Sequence, residues 1–414
     1  MENNRRIAII GTGISGLTCG YYLTKEGVSV TMYEASDYIG GHTHTVATEC
    51  EGEHAMIDTG FIVFNDRTYP NFISLMDEIG VAYQPTEMSF SVRNDEAGVE
   101  YNGSSLNGIF AQRSNLVKPS FFRMLKDIVR FNKEVREYAR TDPAMTIGAY
   151  LDRSDYAPAF SENYLMPMIA AIWSMGTGDC RDFPLAFFVK FFSNHGLLDL
   201  TNRPQWYTIR GGSSSYIEPL TRSFRQGIVL STPVRKVRRS SDGVEVLTDN
   251  GSDRYDQVVL ACHGDEALVL LDEPSEDEQQ VLSNFRFSRN RVVLHTDVSH
   301  MPRSKRAWAS WNYRVAGDTQ DSSTLTYNMN ILQRLETKHT YLVTLNQDVD
   351  PACVIREFDY SHPVYTVSMI DAQERWHQIS GVDGIHYCGA YWFNGFHEDG
   401  VNSGLRVCEM LGGD

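Results

Sequence analysis

Residues 5–36, RRIAIIGTGISGLTCGYYLTKEGVSVTMYEAS, decide the fold. Ile7, Ala8, Ile9 and Ile10 form an uncharged apolar run, the pattern of a strand covered on both faces. Gly11, Gly13 and Gly16 follow as GxGxxG. In that spacing the first glycine permits a tight turn, the second lets backbone approach a pyrophosphate, and the third lets helix and strand pack closely. A helix beginning at Ile14 and Ser15 aims its unpaired N–H groups and positive dipole end at the phosphates. Val28, Val30 and Met32 alternate into a second strand that ends at Glu34, with Ala35 behind it. Glu34 stands 18 residues after Gly16, where a carboxylate can accept both hydroxyls of an adenosine ribose. A plain glycine turn in a βαβ unit leaves that acid unexplained. The stretch therefore predicts a dinucleotide site in an α/β, Rossmann-like domain.

The bulk composition narrows the classes. The chain has 414 residues, enough for two ordinary domains, and 42% of them are hydrophobic. Its net charge of −16 argues against nucleic acid as a partner, since phosphate binding needs basic surface. Residues 1–6 are polar, and the apolar strand after them is too short for a secretory signal. No apolar run reaches the roughly 18–20 residues of a spanning helix. Seven cysteines without paired spacing point to neither a disulfide framework nor a metal site. A soluble, cytoplasmic, reduced protein is expected.

The dinucleotide domain is expected to be discontinuous, built from residues 1–70, 205–265 and 376–414. Residues 71–204 and 266–375 would form an α+β substrate domain. Residues 228–262 alternate apolar and polar around Ser241-Asp242-Gly243 and Asn250-Gly251, reading as a strand pair followed by a parallel strand at Val258–Ala261. The segment IHYCGAYWFNGFHEDGVNSGLRV, residues 385–407, reads as a last strand and a helix opening near Gly400.

Gly40-Gly41-His42, with the turn IDTGFIVFN at 57–65, resembles the flavin-containing amine oxidase superfamily. The resemblance implies FAD, and the absence of a cysteine at the usual attachment point implies that it is not covalently held. It also implies that Thr59, Gly60 and Phe61 border the cofactor and that the backbone of Val234 meets the adenine. The residue directly after the family's glycine pair is usually arginine, where this chain has His42. Its last motif, an Ala-Gly-acid strand end and a glycine-opened helix, corresponds to Cys388-Gly389-Ala390 and Gly400-Val401. The N–H of Val401 would then stabilise charge on reduced flavin. Because Ala390 replaces the acid, Glu398 or Asp399 is expected to take its duty.

A closer resemblance covers Arg6 to about Val407. GGHTHTV, IDTGFIVFNDRTYPN, MSFSVR, YLMPMIAAIWS, NHGLL, RPQWYTI, AWASWNY and CGAYWFNGFHEDG are similar, in order, to the flavin domain fused to plant cyclopropane fatty acyl synthases and to its free-standing bacterial relatives. This implies a fatty acyl substrate and a fatty acyl methyltransferase or cyclopropane synthase as partner. It brings no catalytic residue with it.

Catalytic candidates come from position alone: His397, Tyr391, Trp392 and Asn65. Each has a structural alternative, namely a turn anchor for His397, core packing for the aromatics and solvent exposure for Asn65 and its neighbour Asp66. His362, Pro363 and Tyr365 are expected near the flavin ring. Trp173, Trp206, Trp308 and Trp311 could line an apolar channel or a packed core. Residues 118–140 form an amphipathic helix with seven basic and three acidic residues, apolar at Phe121, Leu125, Ile128 and Val135. It would either touch the inner face of an anionic membrane or pack on its own domain. Three activities remain open: acyl oxidation or reduction, double-bond isomerisation, and a flavin module assisting a methyltransferase.

Overall fold

The computed structural model describes residues 5–142, 144–173, 175, 177–198, 203–315 and 324–412. Its first layer is a five-stranded parallel sheet in the order Ile228–Val229, Ser29–Tyr33, Arg6–Ile10, Gln257–Leu260, Ile385–Tyr387. Ile7, Ala8 and Ile9, at its centre, are fully buried, as the uncharged run requires. Residues 228–262 hold more than a strand pair. Ile228–Val229 joins the parallel sheet, and Val234–Ser240, Gly243–Thr248 and Gly251–Tyr255 form a separate antiparallel three-stranded sheet. The two glycine turns make two hairpins, because each turn signal closes its own strand pair.

The helix Ile14–Lys25 leaves the first strand and packs on the last helix, His397–Gly412. Their contact is made by small residues. A Cβ on Gly404 would lie 2.6 Å from the Ser15 carbonyl oxygen, and one on Gly400 would lie 2.5 Å from Ile14 Cγ2. The two backbones therefore touch, and both helix N-termini come to the same side of the sheet.

A second sheet has seven strands in the order Val354–Pro363, Phe287–His295, Leu342–Leu345, Leu325–Asn328, Trp311–Val315, Phe90–Asn94, Val99–Asn102. Within this sheet only the pair Trp311–Val315 with Phe90–Asn94 is parallel among the described strands. Helices Pro119–Thr141 and Leu185–Asn194 pack on each other, and their buried aromatics belong to a core continuous with the parallel sheet. The buried carboxylate of Asp58 ties the returning chain to the hairpin Thr45–Asp58. Its Oδ1 accepts from the Ser213 N–H (2.8 Å), Ser213 Oγ (2.9 Å) and Thr45 Oγ1 (2.6 Å).

The helix contact gives a direct expectation. Gly404→Val should destabilise the apoprotein by about 1–3 kcal/mol, because the new side chain meets backbone that cannot step aside. Gly103→Ala, with open space around the new Cβ, should stay within about 0.5 kcal/mol. Denaturant unfolding of both variants checks this.

Candidate functional site

A cavity of about 1290 Å³ runs from the carboxyl ends of the parallel strands into the second layer. Pockets for small molecules span about 300–1,000 Å³, so this one has room for a dinucleotide and a further ligand. Gly11, Gly13, Ile14, Ser15, Glu34, Ala35, Gly40, Gly41, His42, Gly60, Phe61, Val234, Gly389, Ala390, Tyr391 and His397 line it. Gly16, Thr59, Asn65, Trp392, Asp399, Gly400 and Val401 are not among its lining residues.

The glycines divide by task. Gly11 has φ +106°, and a Cβ there would sit 2.8 Å from the Ala261 carbonyl oxygen. A Cβ on Gly16 would sit 2.3 Å from the Gly11 carbonyl oxygen, which is the close helix–strand contact. A Cβ on Gly13 would meet no protein atom within 4 Å. The space beside Gly13 is therefore cavity, and a pyrophosphate fits there. Gly41, with φ +58°, presses against Gly13, and a Cβ on it would sit 3.2 Å from the Gly13 Cα. The Phe61 N–H donates to the His42 carbonyl (2.8 Å), and a Cβ on Gly60 would sit 2.2 Å from that same oxygen. Thr59 works behind this turn, donating to the His44 carbonyl (3.1 Å) and sharing a hydrogen bond with the Tyr360 hydroxyl (2.8 Å). Glu34 Oε2 accepts from the N–H (2.9 Å) and hydroxyl (2.6 Å) of Thr12, and Oε1 accepts from the Ser36 N–H (2.9 Å). A carboxylate has about four acceptor sites and three are taken, so capacity remains for one ribose hydroxyl.

His42 holds the clearest unused hydrogen-bonding capacity in the cavity, suited to a hydroxyl of a cofactor. Its Nε2 is buried and has no hydrogen-bond partner. Its ring lies 5.4 Å from that of His362 and 6.4 Å from that of His263, and all three line the cavity. Burial and the neighbouring imidazoles push the His42 pKa well below its ordinary value, and burial lowers that of His362 to about 4. His263 escaped the sequence reading. Its position just past the strand Gln257–Leu260, at the carboxyl edge of the sheet, is the signal that could have found it.

The last helix opens at His397, three residues before Gly400. The reason is a carboxylate at its third position: Asp399 Oδ2 accepts from the Phe396 N–H (2.9 Å) and stops the helix from starting later. Gly400 N–H already donates to the Phe396 carbonyl (3.0 Å). Val401 is thus inside the helix, and the free N–H groups are those of His397, Glu398 and Asp399. Of these residues only His397 lines the cavity, whereas Val401 does not. Neither acid faces the cofactor space. Glu398 accepts from the N–H groups of Asn71 (3.1 Å) and Phe72 (2.8 Å), and Asp399 also accepts from Asn394 Nδ2 (3.1 Å). Burial raises Asp399 to a pKa of about 6.

The His397 ring stacks on Phe61 with centroids 3.5 Å apart, and its Nε2 meets Thr43 Oγ1 (2.9 Å) and the Tyr216 hydroxyl (3.1 Å). Burial lowers its pKa to about 3, so the ring is neutral and serves as a hydrogen-bonding wall, not a proton store. Tyr391 faces the cavity, whereas Trp392 turns away and packs edge-on against Phe285 at 4.6 Å. Asn65 closes a turn: its Oδ1 accepts from the N–H groups of Arg67 and Thr68, each at 2.9 Å. Asp66 accepts from the Gln205 N–H (3.1 Å). Both are therefore away from the channel, because a side chain that caps its own turn cannot reach outward.

The far end of the cavity is apolar. Ile109, Leu125, Ile128, Val129, Met168, Ile172 and Leu197 line it with Trp206 and Trp311. Trp173 and Trp308 do not. Trp173 packs among Phe183, Phe191 and Tyr365, and Trp308 donates to the Pro302 carbonyl (2.9 Å). His362 and Pro363 line the cavity, whereas Tyr365 is buried in that aromatic cluster.

The chain belongs to the flavin-containing amine oxidoreductase family, which it matches over residues 14–330. AofH of Mycobacterium tuberculosis, assigned by name to the flavin-containing monoamine oxidases, is 24% identical over 67% of this chain and 61% of its own length. The chain thus spans under two thirds of that relative. A carotenoid phi-ring synthase of Streptomyces griseus is 26% identical over 62% of this chain and 52% of its own length. Among solved structures, putrescine oxidase superposes with a TM-score of 0.70 at 17% identity, each chain covered to 99%. A fatty acid isomerase from P. acnes superposes at 0.66 and 16% identity, again with 99% of both chains. The fold is that of these flavoenzymes, and membership of the family makes FAD the cofactor. Of the described cysteines only Cys262 lines the cavity; it borders Gly11, and burial pushes its thiol pKa up.

Two outcomes are expected. Gly13→Ala should leave the apoprotein as stable as the parent but cut FAD retention at least tenfold, read as bound flavin per protein after gel filtration. Acidification should destabilise the apoprotein. His195, His362 and His386 are lowered to about 4, as is His295, and these histidines bind protons better when unfolded, so stability falls from about pH 6.5 downward. Asp58 and Asp399, raised to about 6, bind protons better when folded and offset part of that loss. The histidines prevail in number, and a denaturation midpoint unchanged between pH 7 and 5 would contradict this.

Proposed function

We propose that the chain is an FAD-dependent oxidoreductase acting on a fatty acyl chain, unsaturated or modified by a methyl or cyclopropane group. The apolar far end of the cavity carries this reading. An amine would find no carboxylate there, since the lining acids Glu34, Asp265, Glu266 and Asp359 belong to the adenine and histidine end, and Arg203 is the one lining cation among the described residues. When bound, FAD supplies hydride exchange at N5 with an allylic carbon. The protein's share is to hold the chain in position, exclude water, and offer the His397 N–H at a helix N-terminus to charge on reduced flavin.

A second reading, redox-neutral double-bond isomerisation, draws support from the far end's titratable groups. His195 is the imidazole there. Its Nδ1 donates to the Phe191 carbonyl (3.0 Å), and burial lowers its pKa to about 4, a poor acceptor at neutral pH. Dehydrogenation must dispose of a proton, whereas returning the same hydride need not. The superposition with a fatty acid isomerase lends this reading support. Assistance to a fatty acyl methyltransferase or cyclopropane synthase is the non-catalytic alternative, testable by co-purification without turnover.

The deciding experiment is anaerobic flavin absorbance during addition of unsaturated, cyclopropane or methyl-branched acyl lipids. Bleaching by one class is expected for an acyl oxidase and names its substrate. No bleaching together with a product of unchanged mass selects isomerisation. No bleaching and no product overturns both.

A further inference from the structure

The helix Pro119–Thr141 presents two faces. Phe121, Met124, Phe131 and Val135 are buried, and Leu125 and Ile128 line the cavity, so the sequence's apolar stripe packs inward. The opposite stripe is Phe122, Lys126, Val129 and Lys133, spaced four, three and four residues apart and therefore on one side. Phe122 is 46% exposed and Val129 is 54% exposed. Immediately before the helix, Leu116 is 49% and Val117 81% exposed. Lys126 and Lys133 have no carboxylate within 4 Å among the described residues, because the helix acids lie on its flank. Asp127 and Glu134 there approach Arg130 at 3.9 and 3.7 Å.

We propose that this surface docks on an anionic phospholipid bilayer and feeds the cavity from it. The proposal rests on the acyl reading above. Three observations converge. Apolar side chains stand exposed in one stretch, where solvent contact costs free energy. Unpaired lysines flank them in a chain of net charge −16, so an anionic surface attracts this patch and repels the remainder. Val129 both stands exposed on the patch and lines the cavity, so the apolar tunnel reaches the surface at the docking face. An acyl chain could then pass from bilayer to flavin without crossing water.

Flotation of the FAD-loaded full chain on phosphatidylcholine vesicles, with and without phosphatidylglycerol, tests the proposal. Binding to the anionic vesicles at low salt and its loss at high salt are expected. Val117→Glu with Phe122→Glu should lower partition at least tenfold. Lys126→Gln with Lys133→Gln should lower it about 25-fold and flatten the salt dependence. Bound flavin per protein and melting temperature should match the parent in both variants, which establishes that they fold. No flotation at low salt, or partition unchanged in the glutamate variant, overturns the proposal. So does a parent dimer that this variant dissociates without any vesicle binding, since the face would then belong to a second copy. Failure here leaves the acyl reading to the absorbance titration, and flotation without bleaching by any lipid leaves the docking face standing while the acyl reading falls.

Discussion

Backbone must touch backbone at the carboxyl edge of the parallel sheet, and the rest of the molecule is arranged around that demand. Gly16 meets Gly11, Gly41 meets Gly13, Gly60 meets His42, and Gly404 meets Ser15, each closer than a side chain would allow. Four segments distant in sequence are thereby drawn to one point. Two helices, Ile14–Lys25 and His397–Gly412, consequently aim their N-termini into the same cavity. A diphosphate at one and an electron-rich ring at the other would both meet unpaired N–H groups, which attract anions at no cost in side-chain entropy.

Where the family resemblance leads to the expectation of an arginine, this chain places His42 beside the rings of His362 and His263, and burial pushes the pKa values of His42 and His362 down. An arginine would keep its charge at this position, whereas burial disfavours charge on His42. With its other ring nitrogen held by the Ser361 backbone, the buried Nε2 is left as an acceptor, so a cofactor hydroxyl and not a phosphate oxygen is its natural partner.

The dinucleotide half was legible because its chemistry is written in backbone: glycine spacing, an apolar run and an acid at a fixed distance need no tertiary information. Glu34 and Gly13 are of this kind. What was not legible depended on partners remote in sequence. Asp399 reads like a cofactor acid until Asn394 and the Phe396 N–H are seen to occupy it. Trp173 and Trp206 look alike in sequence, and only the packing of Phe183 and Phe191 decides that the first is core and the second is wall. His263 gave no local signal beyond a strand end. The helix at 119–141 shows the limit of periodicity, because its apolar stripe is the inward face and its outward face is a mixture of valine, phenylalanine and lysine that no pattern rule marks.

The cavity's gradient constrains selectivity whatever the direction of the chemistry. Its polar groups gather at the adenine and histidine end, and its far end offers shape with few directed contacts. A ligand held there is positioned largely by burial, at about 0.8 kcal/mol per methylene, with Asn132, His195 and Arg203 as polar groups in reach. Such a wall discriminates one methylene by only about 10–200-fold, so chain length and branching would be read coarsely. The position of the reacting carbon must then come from depth: how far an acyl chain reaches before it meets the Phe61–His397 stack. That stack is rigid, since His397 is held by both Thr43 and Tyr216. Regiochemistry would accordingly be set by the fixed distance from the cavity mouth to this wall, with Arg203 the one lining cation among the described residues that could anchor an acidic head.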